Sequence, residues 1–241
     1  PEVLAKYEGE IQELKIKVEE KGQSLADDIA RVAAAREALP NARLKVDANM
    51  GYTLAGALDA LRKLCEYGII YAEQPVATIE DMAALRFAIA KEGLPALIAA
   101  DESIRKAEDP LKVARANAAD LMVIKAAPLG GVRRALALVE QAQLPAVVSS
   151  ALESSVGIAT GASLAASLPT LRYGCGLGTV SLMAEDVTDE PLIARDGFMD
   201  LRAITPSPQR LERLATDEQT RQWWVERITA CYRVLERACG L

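Results

Sequence analysis

The residues that decide the fold are Leu44-Lys45-Val46-Asp47-Ala48-Asn49, a short apolar run that ends in an acid and an amide. Runs of this kind recur along most of the chain, and each one ends in a polar residue or a glycine. The end residues lie 24 to 30 positions apart, and they are Lys17, Asp47, Glu73, Asp101, Lys125, Ser150 and Gly176. This spacing accommodates one strand, one helix and two short loops, so it predicts seven strand–helix units.

The segments between the runs have the pattern of amphipathic helices. Ser24 and Thr53 are in position to cap two of them, and apolar residues follow each at helical spacing. The runs themselves alternate poorly, which indicates parallel strands buried on both faces under helices. Because 241 residues are close to the length of a TIM-type barrel, we predict an α/β fold of the (β/α) barrel class.

The C-terminal part of the sequence follows a different pattern. We interpret residues 1–181 as strand and helix units and residues 182–241 as a C-terminal extension of the same single domain, residues 1–241. Pro206–Cys239 is predicted to form a long helical segment in which Trp223 and Trp224 are packing residues. A helix is expected ahead of Lys15. Since seven units are one fewer than a closed barrel has, the first strand is expected to be missing.

Composition excludes several classes of function. The net charge is −6 and the basic residues are dispersed, which argues against nucleic acid or an anionic membrane as partner. The chain has no histidine, so histidine bases and histidine zinc sites are excluded and proton transfer falls to lysine and carboxylate. The four cysteines have no metal-binding spacing, and no signal peptide or membrane-spanning run is visible. We therefore expect a cytoplasmic protein.

Asp47, Glu73 and Asp101 end three successive strands. Because neighbouring strands lie about 4.8 Å apart, the three carboxylates can converge on one point. Carboxylates in one place repel each other unless a cation joins them, and oxygen ligands without histidine or cysteine favour Mg²⁺, with Mn²⁺ as the alternative. Each acid is also in position to cap the helix that follows it, although three such coincidences in succession favour the metal site.

Lys17 and Lys125 end the strands on either side of this trio. A lysine near a divalent cation and a second ammonium has its charged form disfavoured, so its pKa falls towards the range of a general base. A small-molecule carboxylate bound to the metal would place its α-proton between the two lysines. Removal of that proton gives an enediolate, whose negative charge the metal stabilises.

The ordered set of strand ends resembles the signature of the enolase superfamily, muconate-lactonizing subgroup. The segments that carry the resemblance are Lys15-x-Lys17, Asp47-Ala-Asn49, Glu73-Gln-Pro75, Asp101-Glu-Ser103 and Lys125. Within the subgroup, the segments 125–131 and 149–157 are most similar to the actinobacterial type of the o-succinylbenzoate synthase family.

This resemblance implies a role for each residue. Lys17 is implied to be the acid/base lysine and Lys125 the opposing cation, with Asp47, Glu73 and Asp101 as Mg²⁺ ligands. Substrate binding is implied for a further group: Lys15, Asn49, Ser149, Ser150 and Gly176. The implied reaction is that of a lyase, which dehydrates a cyclohexadiene carboxylate to 2-succinylbenzoate in menaquinone synthesis.

Two other functions stay open at this point. The same site suits an N-acylamino acid racemase that uses Lys17 and Lys125 as bases on opposite faces of the substrate. The third possibility is a truncated or engineered barrel with little activity, because the family carries an N-terminal capping domain for which this chain has no room. The sheet edge beside Leu14–Val18 would then be open, which predicts self-association.

Overall fold

The computed structural model describes residue 4, residues 11–106 and residues 108–239, without the side chains of residues 238 and 239. The helix expected ahead of Lys15 falls, apart from Leu4, outside these residues. A chain of parallel strands and intervening helices runs through most of the described part.

Six strands form one parallel sheet in which every strand is hydrogen-bonded to the next one along the chain. They are β1 Glu13–Lys17, β2 Arg43–Asp47, β3 Ile69–Glu73, β4 Leu97–Ala100, β5 Leu121–Ile124 and β6 Ala146–Val148. An order without crossovers is that of consecutive strands in an α/β barrel. The predicted fold class is therefore confirmed, with the sheet curled into a partial barrel.

Helices follow the strands as the sequence predicts. They are α1 Leu25–Ala38, α2 Leu54–Leu64, α3 Ile79–Glu92, α4 Glu102–Arg105, α5 Lys112–Arg115, α6 Val132–Ala142, α7 Ser155–Ser167, α8 Pro208–Arg213 and α9 Glu218–Cys239. Ser24 caps α1 in a capping box with Asp27, and the Thr53 side chain caps α2, so both predicted caps are confirmed. Among the helices described here, none is long and apolar enough to cross a bilayer.

The two faces of the sheet have different surroundings. One large group of side chains, which includes Val32 and Leu44, packs between the sheet and the helices. A smaller group packs on the inside of the curled sheet and is formed by Tyr71, Ala99, Leu121, Val123 and Val147. Strands β3 to β6 are buried on both faces, which explains why they alternate poorly, whereas β1 and β2 alternate between apolar and charged residues.

The seventh predicted strand is reduced to a single bridge between Gly176 and Ser149. Side chains from the other end of the sheet take the hydrogen bonds that a further strand would use. The Glu13 carboxylate accepts from the backbone N–H of Gly174 at 2.7 Å, and Arg43 donates to the carbonyl of Arg172 at 3.1 Å. Residues 171–176 therefore lie beside β6 and are joined to β1 and β2 by side chains rather than by a backbone ladder.

The long C-terminal helical segment is two helices, because the chain turns between α8 and α9 and Asp217 caps the second helix through the N–H of Thr220 at 2.8 Å. Trp223 and Trp224 are 52% and 51% exposed, and their rings pack edge to face on each other. The interpretation of these two residues as packing residues is wrong. In the described part of the chain, the residues of α9 are exposed from Glu218 through Leu235.

Candidate active site

Three acidic side chains lie buried at the carboxyl edge of the sheet. In the strand register Lys17 is opposite Asp47, and Asp47 is opposite Glu73. Glu73 is opposite Ala99, so Asp101 comes two residues further along that strand end. Asp47, Glu73 and Asp101 are each at most 2% exposed, and the sequence alone predicted that these acids would share one edge.

Lys15 joins the first two carboxylates. Its Nζ lies 3.0 Å from Asp47 Oδ2 and 2.7 Å from Glu73 Oε1. Burial opposes the charge of this ammonium, but the two carboxylates outweigh burial and raise the pKa of Lys15. Lys15, predicted to bind substrate, therefore holds two acids of the site together in this structure.

Asp101 is held by two cations. Lys125 Nζ donates to both of its carboxylate oxygens, at 2.9 and 2.7 Å, and Arg105 Nε donates to Oδ1 at 3.1 Å. Lys125 is 9% exposed, so its ammonium is largely removed from water. Arg105 was not predicted from the sequence, although its position one helical turn after Asp101 was the available signal.

Lys17 is the more accessible of the two predicted catalytic lysines, with a half-exposed side chain. Its Nζ donates to Asp47 Oδ2 and to Asn49 Oδ1. Asn49 in turn donates through Nδ2 to Glu102 Oε1 at 3.3 Å. Asn49, predicted to bind substrate, therefore contacts the lysine and links it to Glu102.

The three acids influence each other electrostatically. Burial raises the pKa of Glu73 to about 7; Lys15 works against this rise, and the charges of Asp47 and Asp101 add to it. Burial also works against ionisation of Asp47, but Lys15 and Lys17 outweigh it and lower the pKa of that carboxyl. Each acid of the trio nevertheless contacts at least one cation: Lys15 or Lys17 on the side of Asp47 and Glu73, and Lys125 and Arg105 at Asp101.

The donor chemistry of this edge fits a hard divalent cation. Its acids offer carboxylate oxygens without sulfur or imidazole, and Glu102 Oε2 is buried with no hydrogen-bond partner within the described structure. As the side chains stand, no group of three or more acidic or cysteine residues in the described ranges is gathered around one point. Their oxygens are bonded to lysine and arginine instead, so ammonium and guanidinium groups supply the positive charge that a metal ion would bring.

The acids do not serve as helix caps. Thr53 and Thr78 side chains cap α2 and α3, the helices that follow Asp47 and Glu73. Asp101 directly precedes α4, but its side chain makes no capping hydrogen bond. The capping alternative for these three residues is therefore excluded.

Ser149, Ser150 and Gly176 lie together at the end of β6. Both serine hydroxyls donate to the Gly176 carbonyl, at 3.4 Å from Ser149 and 3.0 Å from Ser150. The Gly176 N–H donates to Val148 O at 2.8 Å, so it is already used within the sheet. A Cβ on Gly176 would stand 2.8 Å from Ser149 Oγ, which means that the glycine makes room for this serine rather than offering a free N–H.

A cavity of about 810 Å³ lies inside the curled sheet. Four of the predicted site residues line it: Lys15, Glu73, Ser149 and Gly176. The other six surround the carboxyl edge without lining this cavity, and they are Lys17, Asp47, Asn49, Asp101, Lys125 and Ser150. The volume is within the range of small-molecule sites, roughly 300 to 1,000 Å³.

Lys45 is a buried residue of the cavity wall that the sequence analysis missed. It is 4% exposed, pairs with Glu13 and donates to Gly174 O at 3.1 Å. A signal was present, because charged residues occupy every second position of β1 and β2 and therefore point to one face of the sheet.

The partial barrel of consecutive parallel strands agrees with the comparison with known proteins. A family model described as "Enolase C-terminal domain-like" matches residues 2–206. The chain belongs to this family. Membership implies use of a divalent metal ion in general terms.

The similar proteins fall into two groups. The o-succinylbenzoate synthases of Mycolicibacterium smegmatis and Mycobacterium leprae are 52% and 48% identical over 98% and 100% of this chain, which covers 71% and 70% of their lengths. Among solved structures, muconate lactonizing enzyme from Pseudomonas putida superimposes with a TM-score of 0.76 at 26% identity over 89% of the chain. Muconate cycloisomerase from Pseudomonas fluorescens gives 0.74 at 29% identity over 84%. The chain spans 61% and 57% of the lengths of these two structures.

Proposed function

We propose that this chain carries the active site of an o-succinylbenzoate synthase. The reaction removes a proton and a hydroxyl group, as water, from a cyclohexadiene carboxylate and leaves 2-succinylbenzoate. The observation that carries the proposal is the ordered acid trio between two lysines in a chain about half identical to enzymes of that name. Removal of a proton next to a carboxylate needs a base on one side and positive charge around the carboxylate oxygens, and this edge offers both.

The chain's own residues divide these tasks. Asp47, Glu73 and Asp101 would hold a divalent ion, with Mg²⁺ as the proposed metal, and such an ion offsets the negative charge that develops on the substrate carboxylate. Lys17, with its half-exposed side chain, takes the α-proton. Lys125 stays next to Asp101 as a buried cation and stabilises the same developing charge from the other side.

The second carboxylate of the substrate, on its succinyl arm, needs hydrogen-bond donors away from the acid trio. Ser149 and Ser150 are proposed to supply them, because their hydroxyls can turn from the Gly176 carbonyl towards a ligand. Ser149 lines the cavity of about 810 Å³ next to Gly176, which keeps that wall free of a side chain. Lys15 and Asn49 are proposed to complete the binding surface.

The remaining proposals concern organisation. We propose a single domain over residues 1–241, cytoplasmic, with a small carboxylate as substrate and with neither nucleic acid nor membrane as partner. Self-association through the edge of β1 stays a prediction, and light scattering of the isolated chain tests it.

The experiment that tests the function is an absorbance assay for 2-succinylbenzoate with added Mg²⁺, repeated with a chelator. Product formation that needs the metal and disappears in Lys17→Ala supports the proposal, and Lys63→Ala, an exposed lysine on α2, is the control that should retain activity. Metal-dependent racemisation of an N-acylamino acid without dehydration would favour the racemase instead, since Lys17 and Lys125 lie on opposite sides of the acids. Absence of both reactions in a folded, metal-binding chain would refute the proposal.

A further inference from the structure

Gln74 directly follows Glu73 and adopts an unusual backbone conformation. Its φ is +35°, in the left-handed region that residues with a side chain seldom enter. Its N–H donates to Ala99 O at 2.8 Å, which continues the bonding between β3 and β4 beyond the end of the strand. The backbone therefore turns at this residue while it stays attached to the neighbouring strand.

The Gln74 side chain is fully buried and uses both ends of its amide. Oε1 accepts from the N–H groups of Asp101 at 3.1 Å and Ser103 at 3.0 Å. Nε2 donates to Val76 O at 3.0 Å and to Ser103 Oγ at 2.8 Å. Because the two N–H groups can only donate, they fix which end of the amide faces Asp101.

These hydrogen bonds give α4 a cap from another part of the chain. The helix begins after Asp101 and receives no capping bond from a side chain of its own. The first free N–H groups of a helix need acceptors when they are buried, and Gln74 Oε1 supplies one acceptor for two of them. The amide thereby joins the segment that carries Glu73 to the segment that carries Asp101.

We propose that Gln74 is a positioning residue for the metal site, which fixes the spacing between Glu73 and Asp101 through the backbone of the Asp101 segment. This inference rests on the proposed function, because it assumes that these acids are ligands. Gln74 itself need not touch metal or substrate. Two mutually repelling carboxylates at neighbouring strand ends keep a fixed spacing only if the segments behind them are joined, and the hydrogen bonds of the Gln74 side chain join those segments.

Gln74→Asn tests the proposal. Asparagine tolerates positive φ better than glutamine, so the backbone should fold, but its amide is one carbon shorter and cannot reach both N–H groups. Gln74→Met is the second variant, because it keeps the length of the side chain and removes every hydrogen bond that the side chain makes. Titration calorimetry with Mn²⁺, corrected for the folded fraction by circular dichroism, should show affinity lowered by about 10- to 100-fold in both, as is usual when a group that orients a ligand is lost.

The control is Arg36→Met. Arg36 donates to the carbonyls of Tyr67, Pro40 and Ala42 next to the amino ends of β2 and β3, so its loss removes several hydrogen bonds at the opposite edge of the sheet. A purely structural role of Gln74 would lower the folded fraction, as is expected of Arg36→Met, and would leave the Mn²⁺ affinity of the folded molecules unchanged. The electron paramagnetic resonance spectrum of bound Mn²⁺ should also change in the Gln74 variants and not in the control.

The outcomes are distinguishable. If the wild-type chain binds no Mn²⁺, the proposed metal site fails and Gln74 has no ligands to position. If the wild-type chain binds Mn²⁺ and both Gln74 variants bind it as tightly, the positioning role is refuted while the metal site stands. If neither variant folds, Gln74 is a structural residue and the proposal is withdrawn.

Discussion

Replacement of Glu73 by glutamine should stabilise the metal-free chain relative to wild type, and this difference in the free energy of unfolding should grow as the pH rises. Glu73 is 2% exposed, and burial together with the charges of Asp47 and Asp101 raises its pKa to about 7, against the opposing effect of Lys15. The unfolded chain has no such surroundings, so the carboxyl there titrates near 4.5. Ionisation of Glu73 is therefore a cost that only the folded chain bears.

The direction and size of this change in the free energy of unfolding follow from the linkage between proton binding and folding. A carboxyl group whose pKa is higher in the folded chain binds more protons when folded, so its contribution is complete below 4.5 and is lost as the pH rises through about 7. The free energy of unfolding should fall by roughly 2.5 kcal/mol between about pH 5 and about pH 8 from this group alone. Glu73→Gln does not titrate, so the stability difference between variant and wild type should grow by the same amount over this range.

The assay is urea unfolding followed by far-ultraviolet circular dichroism, at several pH values and with a chelator present. Glu92→Gln is the matched control, because Glu92 is bonded to Arg62 at the surface and that hydrogen bond lowers its pKa, which leaves it ionised throughout the range. Its stability difference from wild type should not change with pH. A difference for Glu73→Gln that is equally constant would show that the buried carboxyl is not held above its ordinary pKa.

Three further predictions concern other parts of the molecule. Lys125→Met should destabilise the metal-free chain by about 1.5 to 3 kcal/mol in urea unfolding, because buried Asp101 loses the hydrogen bonds from Lys125 and keeps Arg105 as its cation. A loss below about 1 kcal/mol would contradict this. Lys17→Arg should fold normally but lose exchange of the substrate α-proton with deuterium, measured by NMR, because guanidinium stays protonated; exchange at the wild-type rate would move the base elsewhere. Ser24→Ala should cost about 1 kcal/mol and lower Tm by about 2 to 4 °C in calorimetry while Mn²⁺ affinity is retained, because only a helix cap is lost.

Strand and helix positions were predictable because β3 to β6 are buried on both faces and because several helices begin at a side-chain cap. The apolar runs that contain Val46 and Val123 predict strands of a buried sheet, and Ser24 and Thr53 mark where two helices begin. The fate of residues 171–176 was not predictable, since it depends on the Glu13 carboxylate, far away in the sequence. Local patterns do not show such a partner.

The order of the site residues along the strands was predictable from the sequence, but the contacts between their side chains were not. Residue spacing places Asp47, Glu73 and Asp101 on one edge, but it does not show which lysine reaches which acid. The structure puts Lys15 between the first two acids, a result of how far each side chain extends across neighbouring strands. The hydrogen bonds of the Gln74 side-chain amide were also not predictable, because the sequence around a glutamine does not show which groups its oxygen and nitrogen contact.

The position of the tryptophans has a practical consequence for optical measurements. The chain has two tryptophans, Trp223 and Trp224, and both lie half exposed on α9. Tryptophan fluorescence will therefore report on the folding of this helix and not on that of the barrel. A 22-residue helix that is exposed from Glu218 through Leu235 has little beyond its own backbone hydrogen bonds to stabilise it, so it should unfold before the barrel does. Tryptophan fluorescence will change while the circular dichroism of the barrel is still that of the folded state. An unfolding midpoint taken from fluorescence alone would therefore be the midpoint of α9.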